Sequence, residues 1–300
     1  MPELPEVENV RRSLESLVVG KTIQHVDVRL PRIVRTPDDV RQFEFMLSGC
    51  TIEGVGRRGK YLLFDVPPYT LVSHLRMEGQ YRLAERGEET APHTHVVFTF
   101  TDGTELRYRD VRQFGTMDLI GPGEPLPKGL QSLGLEPFDP QLDPHTLYQR
   151  IHHRTAPIKA VLLDQSVLAG LGNIYVDEAL FRAGIHPERP ANRLTKAQCE
   201  RLLGVIRDVL QEAIDAGGSS IKSYVNGYGR HGAFQMALNV YGRDGEPCRV
   251  CGTEIVKLRV AGRGTHVCPV CQMRPRKRRT SHKTRNGTLL RTTGEKEFEA

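Results

Sequence analysis

The sequence lacks the features that would direct it out of the cytoplasm. Its opening, MPELPEVENV, has neither the basic start and apolar run of a secretory signal nor the Arg-rich pattern of an organelle address. These residues are therefore expected to belong to the mature protein. No apolar run approaches the ~20 residues needed to cross a bilayer, and a hydrophobic fraction of 38% suits a soluble globular chain. Excess charge is also missing from most of the chain. The formal net charge is +6, yet residues 272–300 hold nine Lys/Arg against three Glu, which leaves thirty-three of each sign over 1–271. A nucleic-acid surface in the body has to be a local patch. The run RPRKRRTSHKTRN (274–286) has no apolar period and reads as a disordered basic tail, either solubilising or touching phosphates through counterion release.

What is present falls into successive blocks, and 300 residues favour two ordinary domains over one core. Val7, Val10, Leu14, Leu17 and Val18 recur at helical spacing, with Gly20 as a stop signal. From Thr22 to about Ile120 the chain turns to short β-type runs with an Asp102-Gly103 turn, as in a β-sandwich or β-barrel. The Pro/Gly-rich stretch from residue 121 to 135 reads as a linker. Helical periods follow over 136–240, the clearest from Thr195 and Gln198, which fit a capping box, through an apolar stripe to Gly217 or Gly218. The fold class is α+β and multidomain.

Residues 241–272 are different again. Cys248 and Cys251 are two residues apart, as are Cys268 and Cys271, with sixteen residues between the pairs. That is zinc-ribbon spacing, in which two knuckles and a β-hairpin surround one metal with four thiolates. Two disulfides are the alternative, and nothing indicates the oxidising compartment they need. Cys50 and Cys199 do not make a second set and read as small structural residues.

Five segments taken together, PELPEVE, GRRGKYLLF, DVRQFG (110–115), AGLGNIYVDEALFRAGIHP (169–187) and GRGTHVCPVCQ, resemble the bacterial formamidopyrimidine-DNA glycosylase family in the same order, over all but the basic tail (273–300). The resemblance implies an N-terminal β-sandwich (1–120), a helix-two-turn-helix domain with a lesion-covering loop at 217–235, and a hairpin holding one structural Zn2+. It implies action as a monomer on damaged double-stranded DNA, with no membrane, in a bacterial cytoplasm beside the nucleoid. The expected activity is base-excision repair of oxidised purines with strand cutting by β,δ-elimination.

The resemblance also assigns residues. Pro2, freed by removal of Met1, becomes the nucleophile. A terminal amine suits that role because its reference pKa is ~7.7–8.0 against ~10.4 for lysine. Glu3 is the general acid/base and Glu6 a weaker catalytic candidate that could instead hold the terminus. Lys60 is the proton donor for β-elimination and a phosphate contact, and Arg263 contacts backbone and assists δ-elimination. Met77, Arg112 and Phe114 fill the gap left by the flipped nucleotide. His74, His93, Arg154, Lys159 and Asn173 are DNA contacts, and the turn AGLGNIY is expected to leave helix N–H groups free for phosphate.

Other readings stay open on the residues alone. Without the remaining motifs the Pro/Glu-rich opening is a charged cap on the first helix. An endonuclease VIII-like enzyme for oxidised pyrimidines shares the chemistry, although Leu4 and the Met77/Arg112/Phe114 set favour purines. A non-catalytic zinc-ribbon DNA-binding protein is a further alternative. The loop carries Tyr228 and Ala233 where some members of the family have Asp and Tyr, and Val111 and Gln113 depart from its D-P-R-R-F-G pattern.

Overall fold

The computed structural model describes residues 1–220 and 224–274. The expected tail, apart from its first residues, lies outside these, as do positions 221–223 of the loop. The chain starts with helix α1 (Leu4–Val18), whose apolar stripe Leu4, Val7, Val10, Leu14 and Val18 is buried. Gly20, at φ +83°, then turns the chain in the left-handed region that glycine tolerates. Strands β1 (Ile23–Val28) and β2 (Val34–Thr36) follow, then helix α2 (Val40–Leu47). This helix interrupts the expected all-β stretch. Asp39 caps it, accepting from Arg41 N–H, and Phe43 and Leu47 carry its buried face.

Seven strands complete the domain: β3 (Gly54–Arg58), β4 (Tyr61–Val66), β5 (Tyr69–His74), β6 (Gln80–Glu85), β7 (Thr94–Phe100), β8 (Thr104–Arg109) and β9 (Thr116–Ile120). They form a four-stranded sheet, β1-β7-β8-β6, and a five-stranded sheet, β2-β9-β5-β4-β3. Side chains from both sheets, among them Phe64, Tyr81, Phe98 and Tyr108, share one core with α1 and α2. Each such large side chain contributes about 1.5–3 kcal/mol by burial. The β-sandwich expected for this half is present.

The stretch after β9 packs rather than dangles. Helix α3 (Lys128–Gln131) buries Leu130 against Val72 and Ile120. The helical half contains α4 (Pro144–Ile151), α5 (Ile158–Leu163), α6 (Asn173–Arg182) and α7 (Lys196–Asp215) around their own core. Helix α7 has the anticipated Thr195–Gln198 capping box, and Cys199 lies in its buried face. The last element among the described residues is an antiparallel hairpin, β10 (Val256–Val260) and β11 (Arg263–Val267).

Candidate active site and DNA-facing surface

The N-terminal end of α1 is driven into the seam between the halves. Leu4 N–H donates to Gly170 O at 3.0 Å, and Pro2, Glu3 and Glu6 are all buried. The Glu3 carboxylate accepts from the N–H groups of Ile174 (3.0 Å) and Tyr175 (3.4 Å) in the first turn of α6. This corrects the expectation for AGLGNIY: Glu3 occupies helix donors that were assigned to a phosphate. Gly172 makes the approach possible, since a Cβ there would stand 2.3 Å from the Glu3 carboxyl carbon. Burial pushes the Glu3 pKa up, opposed by Lys60 and by the two N–H groups.

Glu6 ties three elements together. It accepts from Glu3 N–H at 2.8 Å, from the Tyr175 hydroxyl on α6 and from Ser219 N–H at 2.7 Å. Burial, and then the neighbouring Glu3, raise its pKa to about 7. Glu6 is thus the point where the 217–235 loop meets the N-terminus. Beyond it, Tyr224 O–H donates to Glu6 O (3.2 Å) and Gly227 N–H to Ser13 Oγ (2.9 Å), laying the loop along α1.

Lys60 reaches the same seam from the β3–β4 turn. Its ammonium donates to Leu171 O at 2.7 Å and is almost wholly buried. Burial pulls its pKa below the usual lysine value, while Glu3 and Glu6 oppose that shift and Arg263 adds to it. Arg263 is exposed near the tip of the β10–β11 hairpin. Ala261 and Gly262 there both take positive φ, the combination a two-residue hairpin turn requires. Asn173 Nδ2 (2.9 Å) and Lys159 Nζ (3.0 Å) hold the hairpin through Gly264 O, and Asp177 Oδ2 accepts from His266 N–H at 3.0 Å.

Lys159 departs from its assignment as a phosphate contact. Its side chain is fully buried and paired with Asp177 at 2.6 Å, also fully buried. A cation so desolvated needs its partner, so Lys159 docks the hairpin on α6 rather than facing solvent. Asn173 shares that task. Sequence reasoning missed Asp177, Tyr175 and Leu171 as supports, because two act by charge or hydroxyl inside helix stripes and the third by a backbone carbonyl.

A second cluster lies beyond Lys60 on the sandwich. Tyr61 pairs with His74 across β4 and β5, their rings edge to face at 4.5 Å. His74 Nδ1 accepts from Arg76 N–H at 2.9 Å, which leaves Nε2 with the proton and makes it a donor. Burial, helped by Arg76, Lys60 and Arg35, lowers its pKa to about 3 and keeps the ring neutral. Met77 follows, half-buried. The Tyr108 hydroxyl packs against both Gly79 and Gly115, where a Cβ would stand 2.4 and 1.7 Å away. It thereby joins the Met77 turn to the DVRQFG turn.

In that second turn, fully buried Asp110 accepts from Arg112 N–H (3.1 Å) and Gly115 N–H (2.7 Å). Phe114 is 53% exposed, with the Arg112 guanidinium over its ring at 5.0 Å. An aromatic held outward by a buried carboxylate is suited to a partner surface. His93, at φ +65° and exposed, belongs here too, since its carbonyl accepts from Asp110 N–H. Arg154 sits elsewhere, between α4 and α5, paired with Asp164 at 2.9 Å.

The four cysteines of the terminal hairpin converge. Their sulfurs all lie within 4.8 Å of one another, with Cys251–Cys268 at 3.4 Å and Cys248–Cys271 at 3.9 Å. Zn–S bonds of ~2.3 Å in a tetrahedron space sulfurs at about 3.8 Å, so the set fits one zinc with no open position for a catalytic water.

Family models agree with this division. Residues 1–117 match the formamidopyrimidine-DNA glycosylase N-terminal domain, 133–225 the formamidopyrimidine-DNA glycosylase H2TH domain, and 245–274 a zinc finger found in FPG and IleRS. Formamidopyrimidine-DNA glycosylases from Halalkalibacterium halodurans and Shouchella clausii are each 58% identical, over 91% and 92% of this chain and 100% of theirs. The chain belongs to the formamidopyrimidine-DNA glycosylase family. It is a DNA glycosylase of base-excision repair with one structural zinc site.

Solved structures of the Lactococcus lactis family member align throughout. A point variant of it in complex with Fapy-dG-containing DNA matches with a TM-score of 0.85 at 46% identity, covering 91% of this chain and 100% of that one. A complex with abasic-site DNA gives the same values. As in this glycosylase family, the helical half is an H2TH domain, and the α+β order expected from the sequence holds.

Proposed function

We propose that the protein excises oxidised purines, 8-oxoguanine and formamidopyrimidines, from duplex DNA and then cuts the strand, with Pro2 as the nucleophile. The burial of Pro2, Glu3 and Lys60 together at the seam carries this reading. Removal of Met1 turns the Pro2 nitrogen from an amide into a secondary amine. Its lone pair adds at C1′ as the bond to the base breaks, and its N–H proton leaves with the base.

Opening of the sugar ring then completes a cationic iminium between nitrogen and C1′. O4′ takes the proton that Glu3 carries, which the raised pKa of its carboxyl favours. The iminium makes the C2′ hydrogen acidic; the Glu3 carboxylate, having given its own proton to O4′, takes it, and the C3′–O bond breaks to expel the 3′-phosphate. Lys60 supplies a proton to that leaving oxygen more readily because burial lowers its pKa. In the second elimination the C4′ proton passes to water as the C5′–O bond breaks, and Arg263 neutralises the 5′-phosphate that leaves. Water then hydrolyses the imine and restores the amine.

Met77, Arg112 and Phe114 fill the space of the flipped nucleotide, while His74 and His93 donate to backbone phosphates. Arg154 adds a phosphate contact outside the cluster, and Lys159 and Asn173 act through the hairpin they hold. The zinc fixes the fold of the hairpin that carries Arg263. The protein acts as a monomer in the cytoplasm, beside the nucleoid. No helix among the described residues is long and apolar enough to cross a membrane.

Borohydride reduction with a duplex carrying 8-oxoguanine opposite cytosine tests the proposal. A covalent adduct mapped to Pro2, lost when Met1 is retained, is the expected result. Intact binding without an adduct would assign a non-catalytic reader. Faster cutting of thymine glycol would assign the pyrimidine branch.

A further inference from the structure

We propose that Arg57 and Glu136 are positioning residues that aim Lys60 for strand cutting and make its turn depend on the segment joining the two domains. The proposal rests on the reading of Lys60 as the proton donor. The turn consists of Gly59 and Lys60 between the paired residues Arg58 and Tyr61. Gly59 has φ +58°, and both of its backbone polar groups are held from outside the hairpin register. Its N–H donates to Glu136 Oε1, and its carbonyl accepts from Arg57 Nη1 at 2.9 Å.

The two side chains that bracket Gly59 also bind each other through two parallel bonds, Nη1 to Oε1 at 2.8 Å and Nη2 to Oε2 at 3.0 Å. Arg57 Nε donates to Glu8 on α1 at 3.0 Å, which completes the fork. Both partners are mostly buried, at 10% and 13% side-chain exposure. Such a pair holds one geometry, where an exposed pair would be mobile and weak.

Glu136 ends a segment pinned to the loop that receives the lysine. Gly134 N–H donates to Gln165 O at 2.8 Å, and Ala169 N–H to Leu135 O at 2.9 Å. Gln165 Nε2 and Lys60 Nζ both donate to Leu171 O, at 2.8 and 2.7 Å. The joining segment therefore holds the backbone of the turn, and the loop to which that segment is pinned holds the ammonium of Lys60. A lysine on a flexible four-carbon stem gains its direction from these two ends.

The test is single-turnover cutting of a duplex with a preformed abasic site by wild type, Glu136→Gln, Lys60→Ala and the double variant, with borohydride trapping and duplex Kd measured alongside. Glu136→Gln should slow cutting roughly tenfold or more, leave trapping yield and Kd within about twofold, and add nothing on top of Lys60→Ala. Effects that multiply in the double variant would show the pair to be a structural staple only. Wild-type speed in Glu136→Gln beside a slow Lys60→Ala overturns the pair's role alone. A Lys60→Ala protein that cuts at wild-type speed overturns the reading of Lys60, and this proposal with it. Should Glu136→Gln fail to fold, Arg57→Lys keeps the charge, loses the fork and carries the same comparison.

Discussion

Both basic residues proposed for the elimination steps ride on two-residue turns of antiparallel hairpins. Gly59-Lys60 joins β3 to β4, and Ala261-Gly262 joins β10 to β11 with Arg263 next in line. The first turn is packed from every side: Leu133 lies 2.9 Å from where a Gly59 Cβ would stand. The second projects outward, with nothing within 4 Å of a Cβ on Gly262. One local shape thus serves opposite needs. Lysine becomes a better proton donor when it is desolvated, whereas arginine keeps its charge everywhere and gains from reach.

Removing the metal should have the largest effect on this contrast, because structural zinc supplies about 10–16 kcal/mol of apparent folding energy in finger peptides. Chelation, or Cys251→Ser, is expected to unfold only the β10–β11 hairpin. DNA affinity should fall at least about tenfold, while the melting of the sandwich stays in place by circular dichroism. Duplex binding that survived full zinc loss would break the comparison.

Lys60→Arg comes next. A guanidinium does not surrender its proton, so strand cutting should drop by about 10²–10⁴, the usual share of general acid catalysis. Arg263→Lys should cost under about tenfold, since charge at an exposed tip is retained. Equal losses in a gel assay of product formation would contradict the assignment.

The glycines offer a finer comparison. Gly262→Ala should cost about 1–2 kcal/mol, the left-handed backbone penalty alone. Gly59→Ala adds a shift of the free end of the half-buried Leu133 side chain, about 0.5–1.5 kcal/mol more. Urea midpoints of the two variants in the wrong order would refute that ranking.

Glu6 gives a pH signature for the buried side. Its folded pKa of about 7 lies above the ordinary 4.5, so between those values the folded state binds the extra proton and stability falls as pH rises. The melting-temperature difference between wild type and Glu6→Gln should therefore shrink or reverse from pH 4.5 to 7 and then level. A flat difference would rule this out. The smallest effect concerns salt: Arg263→Ala should lower the slope of log affinity against log salt by about one, and Lys60→Ala should not.

Much of this was legible in the sequence. The stripe of α1, the capping box of α7 and the cysteine spacing each follow from short-range periods, and each appears where expected. Helix α2 escaped because eight residues with Phe43 and Leu47 as the buried pair give too short a period to stand out among strands. Lys159 was assigned to phosphate by the family resemblance, and the distant Asp177 that makes its burial tolerable leaves no local signal. The Glu3–α6 contact links residues some 170 positions apart, which no local pattern reports.

That contact has a consequence for how the protein comes into being. A nascent chain that has emerged only through the sandwich already carries Pro2 and Lys60, yet it lacks the α6 donors that seat Glu3 and the Leu171 carbonyl that seats Lys60. The seats of Glu3 and Lys60 are thus completed only once the helical half has been made.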